Sequence, residues 1–333
     1  VYVHTNHGTI TMNSHPPLDH LYRQSVRGEL DVSQHIDFVL RQIDSEDPDR
    51  ARKAAMTVVE IATRDPDSMV PRFGELISFI ETGSAPEKTA KAVSRTAPVL
   101  PEKTFDYHRD TLVSIIDDGY SERTRGWILE ALTPDIKNQR DYIDRIAENA
   151  IELLNAEDPT VTISALGYLT EAARYYPNTL SKHDETLLML ANHGITEVRT
   201  GGLGILSRLS RHESASVSAE DYIDELAEEF EQADDGQLIG LIQAIEHTVI
   251  GSPDYWSRLE HRLLPLLASE SPSVRRQACK SLLSILSHHP NLPSNPSRLQ
   301  DRLSELADEF DLRAVYGKQI EQALNQLDSQ RPA

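Results

Sequence analysis

Between Arg258 and Pro290 the apolar residues recur every three or four positions in two runs separated by a break. The first run sets Leu259, Leu263, Leu264 and Leu267 on one face, and the second sets Val274, Ala278, Leu282, Ile285 and Leu286 on another. That period is the mark of an amphipathic helix. Ser271-Pro272 lies between the runs, where proline ends one helix and suits the first turn of the next, since its missing N–H would be unpaired there anyway. The two runs therefore predict a helical hairpin. Neither helix buries its apolar face alone, so the hairpin requires neighbours of its own kind.

The rest of the chain supplies them. With Pro272 as anchor, equivalent points fall at Pro48, Pro86, Glu122, Pro159, Thr196, Gly236 and Phe310, at spacings of 36 to 40 residues. Six residues beyond the anchors stand Ala54, Ala92, Ile128, Ala165, Gly202, Ile242, Ala278 and Tyr316, five of them small, as a close helix crossing requires. Arginine recurs three beyond the anchor as Arg125, Arg199, Arg275 and Arg313. Acids or turn formers precede it, as in Asp47-Pro48, Asp158-Pro159 and Asp235-Gly236. The stretches DPTVTISA at 158–165, TEVRTGG at 196–202 and SPSVRRQA at 271–278 resemble the HEAT repeat, whose hallmark is Asp-Pro followed by Val-Arg and a small residue. Armadillo and related helical repeats share that period. The resemblance implies an all-α, right-handed α-solenoid of about eight helical hairpins, with no β-sheet.

In each hairpin the first helix is named A and the second B. The A helices are expected at 32–43, 68–81, 106–117, 139–155, 180–191, 218–232, 253–268 and 296–310. The B helices are expected at 49–64, 87–99, 121–131, 160–175, 196–212, 237–250, 273–289 and 312–327. Breakers such as Pro66, Pro134, Pro177 and Gly251-Ser252-Pro253 divide them. Residues 1–31 read as an N-terminal tail, disordered over the first fifteen, with a short helix after Pro16-Pro17. Residues 32–327 read as one continuous array and 328–333 as a C-terminal tail. Val1 in place of a methionine suggests a fragment or a misplaced start, with Met12 as another start.

Composition narrows the function classes. The chain has 333 residues with 53 acidic and 33 basic side chains, a net charge of −20, and only eight lysines. Such acidity opposes general affinity for nucleic acid, and the acid-rich, lysine-poor balance resembles that of halophilic proteins. No apolar run approaches the length of a membrane helix, and the N-terminus lacks the pattern of a secretory signal, which leads to a cytoplasmic expectation. The single cysteine, Cys279, agrees with a reducing compartment and reads as a small core residue.

The motifs of phosphate loops, nucleophile elbows, zinc helices and paired cysteines are missing from the sequence, so no catalytic residue, metal site or cofactor is expected. His4, His7, His15 and His20 lack partners at ligand spacing. Asp44, Glu46, Asp47 and Asp49 lack the glycine and distal glutamate of a calcium loop and read as a solvated turn, as do Asp65 and Asp67. Trp127 and Trp256 suit core or half-buried packing better than a stacking platform. Gly201, Gly202 and Gly204 within one B helix each cost about 1 kcal/mol of helix propensity, and either close packing or a joint must compensate. Residues 218–232 hold seven acids and no base, a solvated face or the dock for a basic partner.

Charge divides by helix type. The eight B helices sum to +9 and the eight A helices to −15. The HEAT resemblance implies that B helices line the concave side, and that the four anchor arginines form a structural ladder with acids or carbonyls. Setting those aside leaves Arg50, Lys53, Lys88, Lys91, Arg95, Arg208, Arg211, Arg276 and Lys280 as candidate partner-binding residues. The expected function is a non-catalytic scaffold that holds an acidic or mixed-charge protein segment in the groove. Two HEAT-like alternatives come from the same resemblance: a nucleic-acid-binding protein akin to alkylpurine glycosylases, and a lyase-type protein.

Overall fold

A computed structural model of the chain describes residues 16–117, 119–212, 217–293 and 296–328. The expectations for residues 1–15, including His4, His7, His15 and Met12, and for 329–333 lie outside the described residues, as do the side chains of Arg313 and Tyr316. The described residues are helical throughout, without a strand. They fall into two compact units, Val1–Tyr142 with Asn155–Ala165, and Ile143–Leu154 with Leu166–Ala333.

The first unit holds α1 (Leu18–Arg27), α2 (Val32–Arg41), α3 (Pro48–Arg64), α4 (Phe73–Thr82), α5 (Pro86–Thr96), α6 (Glu102–Asp117) and α7 (Glu122–Leu132). Its B helices α3, α5 and α7 pack in succession along their lengths. The short helix α1 lies against α3, where Lys53 pairs with Asp19 and Arg64 donates to the Val26 carbonyl.

The second unit begins with α8 (Ile143–Leu153). Helix α9 (Pro159–Tyr175) contributes its residues from Leu166 onward to this unit. There follow α10 (Pro177–Leu180), α11 (Asp184–Leu190), α12 (Thr196–Leu209), α13 (Ile223–Gln232), α14 (Asp235–Gly251), α15 (Trp256–Leu263), α16 (Pro272–His288), α17 (Pro296–Glu309) and α18 (Leu312–Asp328). Within this unit the B helices α12, α14, α16 and α18 pack in succession.

The anchor positions mark where B helices begin. Pro48, Pro86, Glu122, Pro159, Thr196 and Pro272 are the first residues of their helices, and the other two anchors fall within two residues of a start. The acids before them are caps. Asp47 accepts from the Asp49 and Arg50 amides at 3.0 and 3.4 Å, and Asp158 from the Thr160 amide at 2.9 Å, pairing donors that a first turn leaves open. Asp234 and Gln237 form a reciprocal capping box at the start of α14. The acid-rich turn around Asp47 is thus the N-terminus of α3.

Ala54, Ala92, Ile128, Ala165, Gly202, Ile242 and Ala278, six beyond the anchors, are all buried. The A helices depart from expectation more than the B helices. Residues 66–72 form a 3-10 segment before α4, with Pro71 inside it, and α15 ends in another 3-10 segment at Leu264–Ala268. Prolines at these points deny the chain its regular i to i−4 bonds and tighten the turns. The expected helix 218–232 starts as a 3-10 turn at Ala219–Asp221, capped by Ser218 and Asp221, and becomes α13 only at Ile223.

Candidate ligand-binding surface

Two of the anchor arginines are absorbed by the fold. Arg199 donates to the His193 carbonyl at 2.8 Å and to Glu229 of α13 at 2.6 and 3.3 Å. Arg275 repeats the arrangement, donating to the Ser269 carbonyl and to Glu309 of α17, both at 2.8 Å. Each arginine thereby joins the turn of its own hairpin to the A helix of the next. The expected acid and carbonyl partners are present, the carbonyls in the turn of the arginine's own hairpin and the acids on the following A helix.

This pairing corrects the reading of the acidic helix. Glu229 is buried and held by Arg199, so it belongs to the interior and not to a free acidic face. Glu231 receives Arg262 at 2.9 Å, and Asp224 pairs with Arg258. Several acids of α13 are therefore structural, and replacing Glu229 disturbs the fold. Trp256 is buried, as core packing predicts.

The nine candidate basic residues separate by environment. Arg50 and Arg276 are exposed near the starts of α3 and α16, Lys53 is paired with Asp19, and Lys88 bonds its neighbour Glu87 at 2.9 Å. Lys91 and Arg95, one turn apart on α5, both lie over the Trp127 ring of α7, at 4.9 and 5.4 Å from its centroid. Arg95 also reaches Glu130 at 2.5 Å. A half-buried indole beneath two cations is a stabilising arrangement. Trp127 is thus half-buried, and its cations are the ones the sequence singled out.

In the second unit Arg208 of α12 and Arg211, in the turn just past its C-terminus, converge with Arg174 of α9 and His247 of α14. They line a pocket of about 440 Å³ together with Glu171. A second pocket of about 310 Å³ shares His247 and includes Lys280 of α16. Arg208 is half-buried, and its Nη1 donates to the carbonyl of Gly204 on its own helix at 3.0 Å. A Cβ at Gly204 would stand 3.5 Å from Nη1, an ordinary contact that leaves the guanidinium in place. Burial pulls the Arg208 pKa below its usual value. Among the described residues no carboxylate lies within ion-pair distance of Arg208 or Arg211, and Glu171 approaches Arg174 only to 3.9 Å.

Arg211 Nη1 stands 2.8 Å from His247 Nδ1. Arginine only donates, so Nδ1 accepts and the ring proton sits on Nε2. Burial, then the charges of Arg208, Arg211 and Arg174, lower the His247 pKa to about 3. This neutral histidine gives a pH signature. Unfolding releases a ring that takes up a proton below its ordinary value near 6.5 while the folded ring stays neutral, so stability falls as pH drops from about 6.5 toward 3. At pH 5 the linkage amounts to about 1–2 kcal/mol. Urea denaturation of wild type and His247→Gln at pH 7.5 and 5 is expected to show that increment only in wild type.

Sequence reasoning missed Arg174 and His247. Arg174 sits in a B helix of zero net charge, and a single helical histidine carries no spacing signal. Among the described residues no cluster of three or more His, Cys, Asp or Glu is placed to hold a metal ion, and no helix is long and apolar enough to cross a membrane.

Residues 260–289 match the HEAT repeat family model. No curated protein matches the chain. Among solved structures, the crystal structure of an engineered protein is similar with a TM-score of 0.58 at 14% identity, covering 93% of this chain and 84% of its own. A second engineered protein gives 0.46 at 15% identity over 76% of this chain and 97% of its own. The karyopherin Kap121p, crystallised with the extreme C-terminus of the protein phosphatase Cdc14p, gives 0.46 at 15% identity over 93% of this chain and 35% of its own. At such identities the likeness is one of fold. Residues 260–289 thus match a HEAT repeat, and the all-helical fold of the chain is similar to that of the first engineered protein.

Proposed function

We propose that the protein is a non-catalytic scaffold that receives an acidic or mixed-charge protein segment along its B helices. The observation that carries this reading is the convergence of Arg174 and Arg208 on two B helices with Arg211 at the end of one of them, in a chain whose net charge is −20. Arg199 and Arg275 are spent on the fold, whereas Arg208 and Arg211 lack carboxylate partners among the described residues. Arg208 is half-buried with its pKa lowered by burial, and such a cation gains from an incoming anion, while Arg211 stands exposed beside it. In the first unit Lys91 and Arg95 lie on Trp127, and in the second Lys280 lines a further pocket, so each unit carries basic residues on its B helices.

A glycosylase-like reading asks for base-stacking aromatics beside a carboxylate. Glu171 is present, but histidine supplies the only rings among the residues lining the pocket. The strongly negative total charge also repels a phosphate backbone. A cytoplasmic setting suits the lone buried cysteine.

The test is titration with a fluorescent peptide of alternating Glu and Ser at physiological ionic strength. The variant carrying Lys91→Glu, Arg211→Glu and Lys280→Glu is expected to bind at least about tenfold more weakly, a change near 1.4 kcal/mol, with an unaltered melting curve. Equal binding by the two proteins overturns the assignment.

A further inference from the structure

The pocket between α9, α12 and α14 is more specific than a generally basic surface. Three guanidinium groups line it against a single carboxylate, Glu171, leaving a net of two positive charges with its histidines counted as neutral. Arg208 is the most enclosed of the three and keeps only one nitrogen on the Gly204 carbonyl. Arg211 is exposed at the rim, bonded to the neutral ring of His247. With Nδ1 engaged by Arg211, the Nε2–H of His247 is a neutral donor.

A carboxylate brings one negative charge and two oxygens, enough for one guanidinium fork. A phosphoryl group brings close to two negative charges and three terminal oxygens, matching both the charge and the number of forks. We propose that the pocket formed by Arg174, Arg208, Arg211 and His247 binds the phosphoryl group of a phosphorylated serine or threonine in a protein partner. This inference rests on the scaffold reading for the nature of the partner, while the anion site itself stands on the pocket. Glu171 is the competitor: its loose contact with Arg174 breaks as the phosphoryl group enters, and its charge disfavours a second phosphate alongside. The site therefore takes one phosphoryl group on a chain and not a run of them, which separates a phosphopeptide from nucleic acid.

The experiment uses the full chain and isothermal titration in chloride buffer at physiological ionic strength. The probes are inorganic phosphate, a short Gly-Ser peptide with one phosphoserine, the same peptide with serine or glutamate at that position, and single-stranded DNA. The phosphopeptide is expected to bind at least about tenfold more tightly than the serine and glutamate forms, with inorganic phosphate competing for the site. Arg211→Gln and Arg174→Gln, on exposed residues, are each expected to weaken the phosphopeptide at least about tenfold with unchanged circular dichroism. Arg208→Gln is expected to abolish binding, and Arg211→Gln decides the matter if that variant unfolds. Equal affinity for the glutamate and phosphoserine peptides overturns the phosphoryl assignment while leaving the scaffold reading intact. No binding of phosphate or phosphopeptide, binding indifferent to Arg211, or tighter binding of DNA overturns the proposal. Phosphopeptide binding combined with indifference of the alternating Glu-Ser peptide to Lys91, Arg211 and Lys280 supports the pocket and defeats the extended acidic-segment reading.

Discussion

Replacing Arg199 by methionine is expected to cost about 3 kcal/mol of stability, among the largest losses available to a single side chain in this protein. The reason lies in Glu229, which is only 5% exposed and takes 2.6 and 3.3 Å bonds from the Arg199 guanidinium. Removing the arginine strands a carboxylate in the interior and opens the His193 carbonyl that it also served. Most of the penalty belongs to the stranded charge and not to the pair as such, so Arg199→Met combined with Glu229→Met should regain most of the loss. Urea denaturation of the two single variants and the double variant measures this directly. A double variant as unstable as the sum of the singles would assign the effect to packing. Glu309, the counterpart that receives Arg275, is 43% exposed at its side chain and stays hydrated when abandoned, so the same cycle at Arg275 should be smaller.

Gly202 is the second sensitive position. A Cβ placed there would stand 2.4 Å from the Leu190 Cβ and 3.1 Å from its carbonyl carbon, so no choice of rotamer relieves the overlap and α11 must move. Gly202→Leu is expected to cost about 3 kcal/mol, at the upper end of overpacking losses. Gly202→Ala tests the same contact with a single methyl and should still destabilise, although alanine gains about 1 kcal/mol in helix propensity. Gly204→Ala is the control, since its Cβ meets nothing nearer than Arg208 Nη1 at 3.5 Å, and it should be neutral or stabilising. Thermal melts of the three variants decide between close packing and a flexible joint at this triplet.

The hairpin architecture was legible because helix starts leave local marks. Asp47-Pro48, Asp158-Pro159 and Asp234 with Gln237 pair the open amides of their own first turns, so the sequence encodes those boundaries within three residues. Apolar period and small crossing residues supplied the rest, and Ala54, Ala92, Ala165 and Ala278 are all buried. The 3-10 stretches at 66–72 and 264–268 were less legible, because amphipathic spacing differs little between a tight and a regular turn over so few residues. At the candidate site, residue type gave Arg208, Arg211 and Lys280, but convergence did not follow from type. Arg174 meets Arg208 and His247 only because three helices separated by 34 or more residues stack in a particular register, and the anchor spacing is least regular there, at 40 residues between Thr196 and Gly236. Glu229 misled in the opposite direction. Its neighbours Glu228 and Glu231 made it look like part of a solvated run, whereas its buried position is set by Arg199 one hairpin earlier.

The chain's single cysteine is buried on α16, with its Sγ 3.9 Å from the Leu303 carbonyl of α17. Burial pushes its pKa up to about 12, so at neutral pH the closed protein offers almost no thiolate to an alkylating reagent. Reaction then waits for the pairing of α16 with α17 to come apart. Cys279 is in this sense a built-in clock: with a thiol reagent concentrated enough to outpace reclosing, the rate at which the native chain takes up the label counts the openings of one helical seam, with no engineered reporter anywhere in the array.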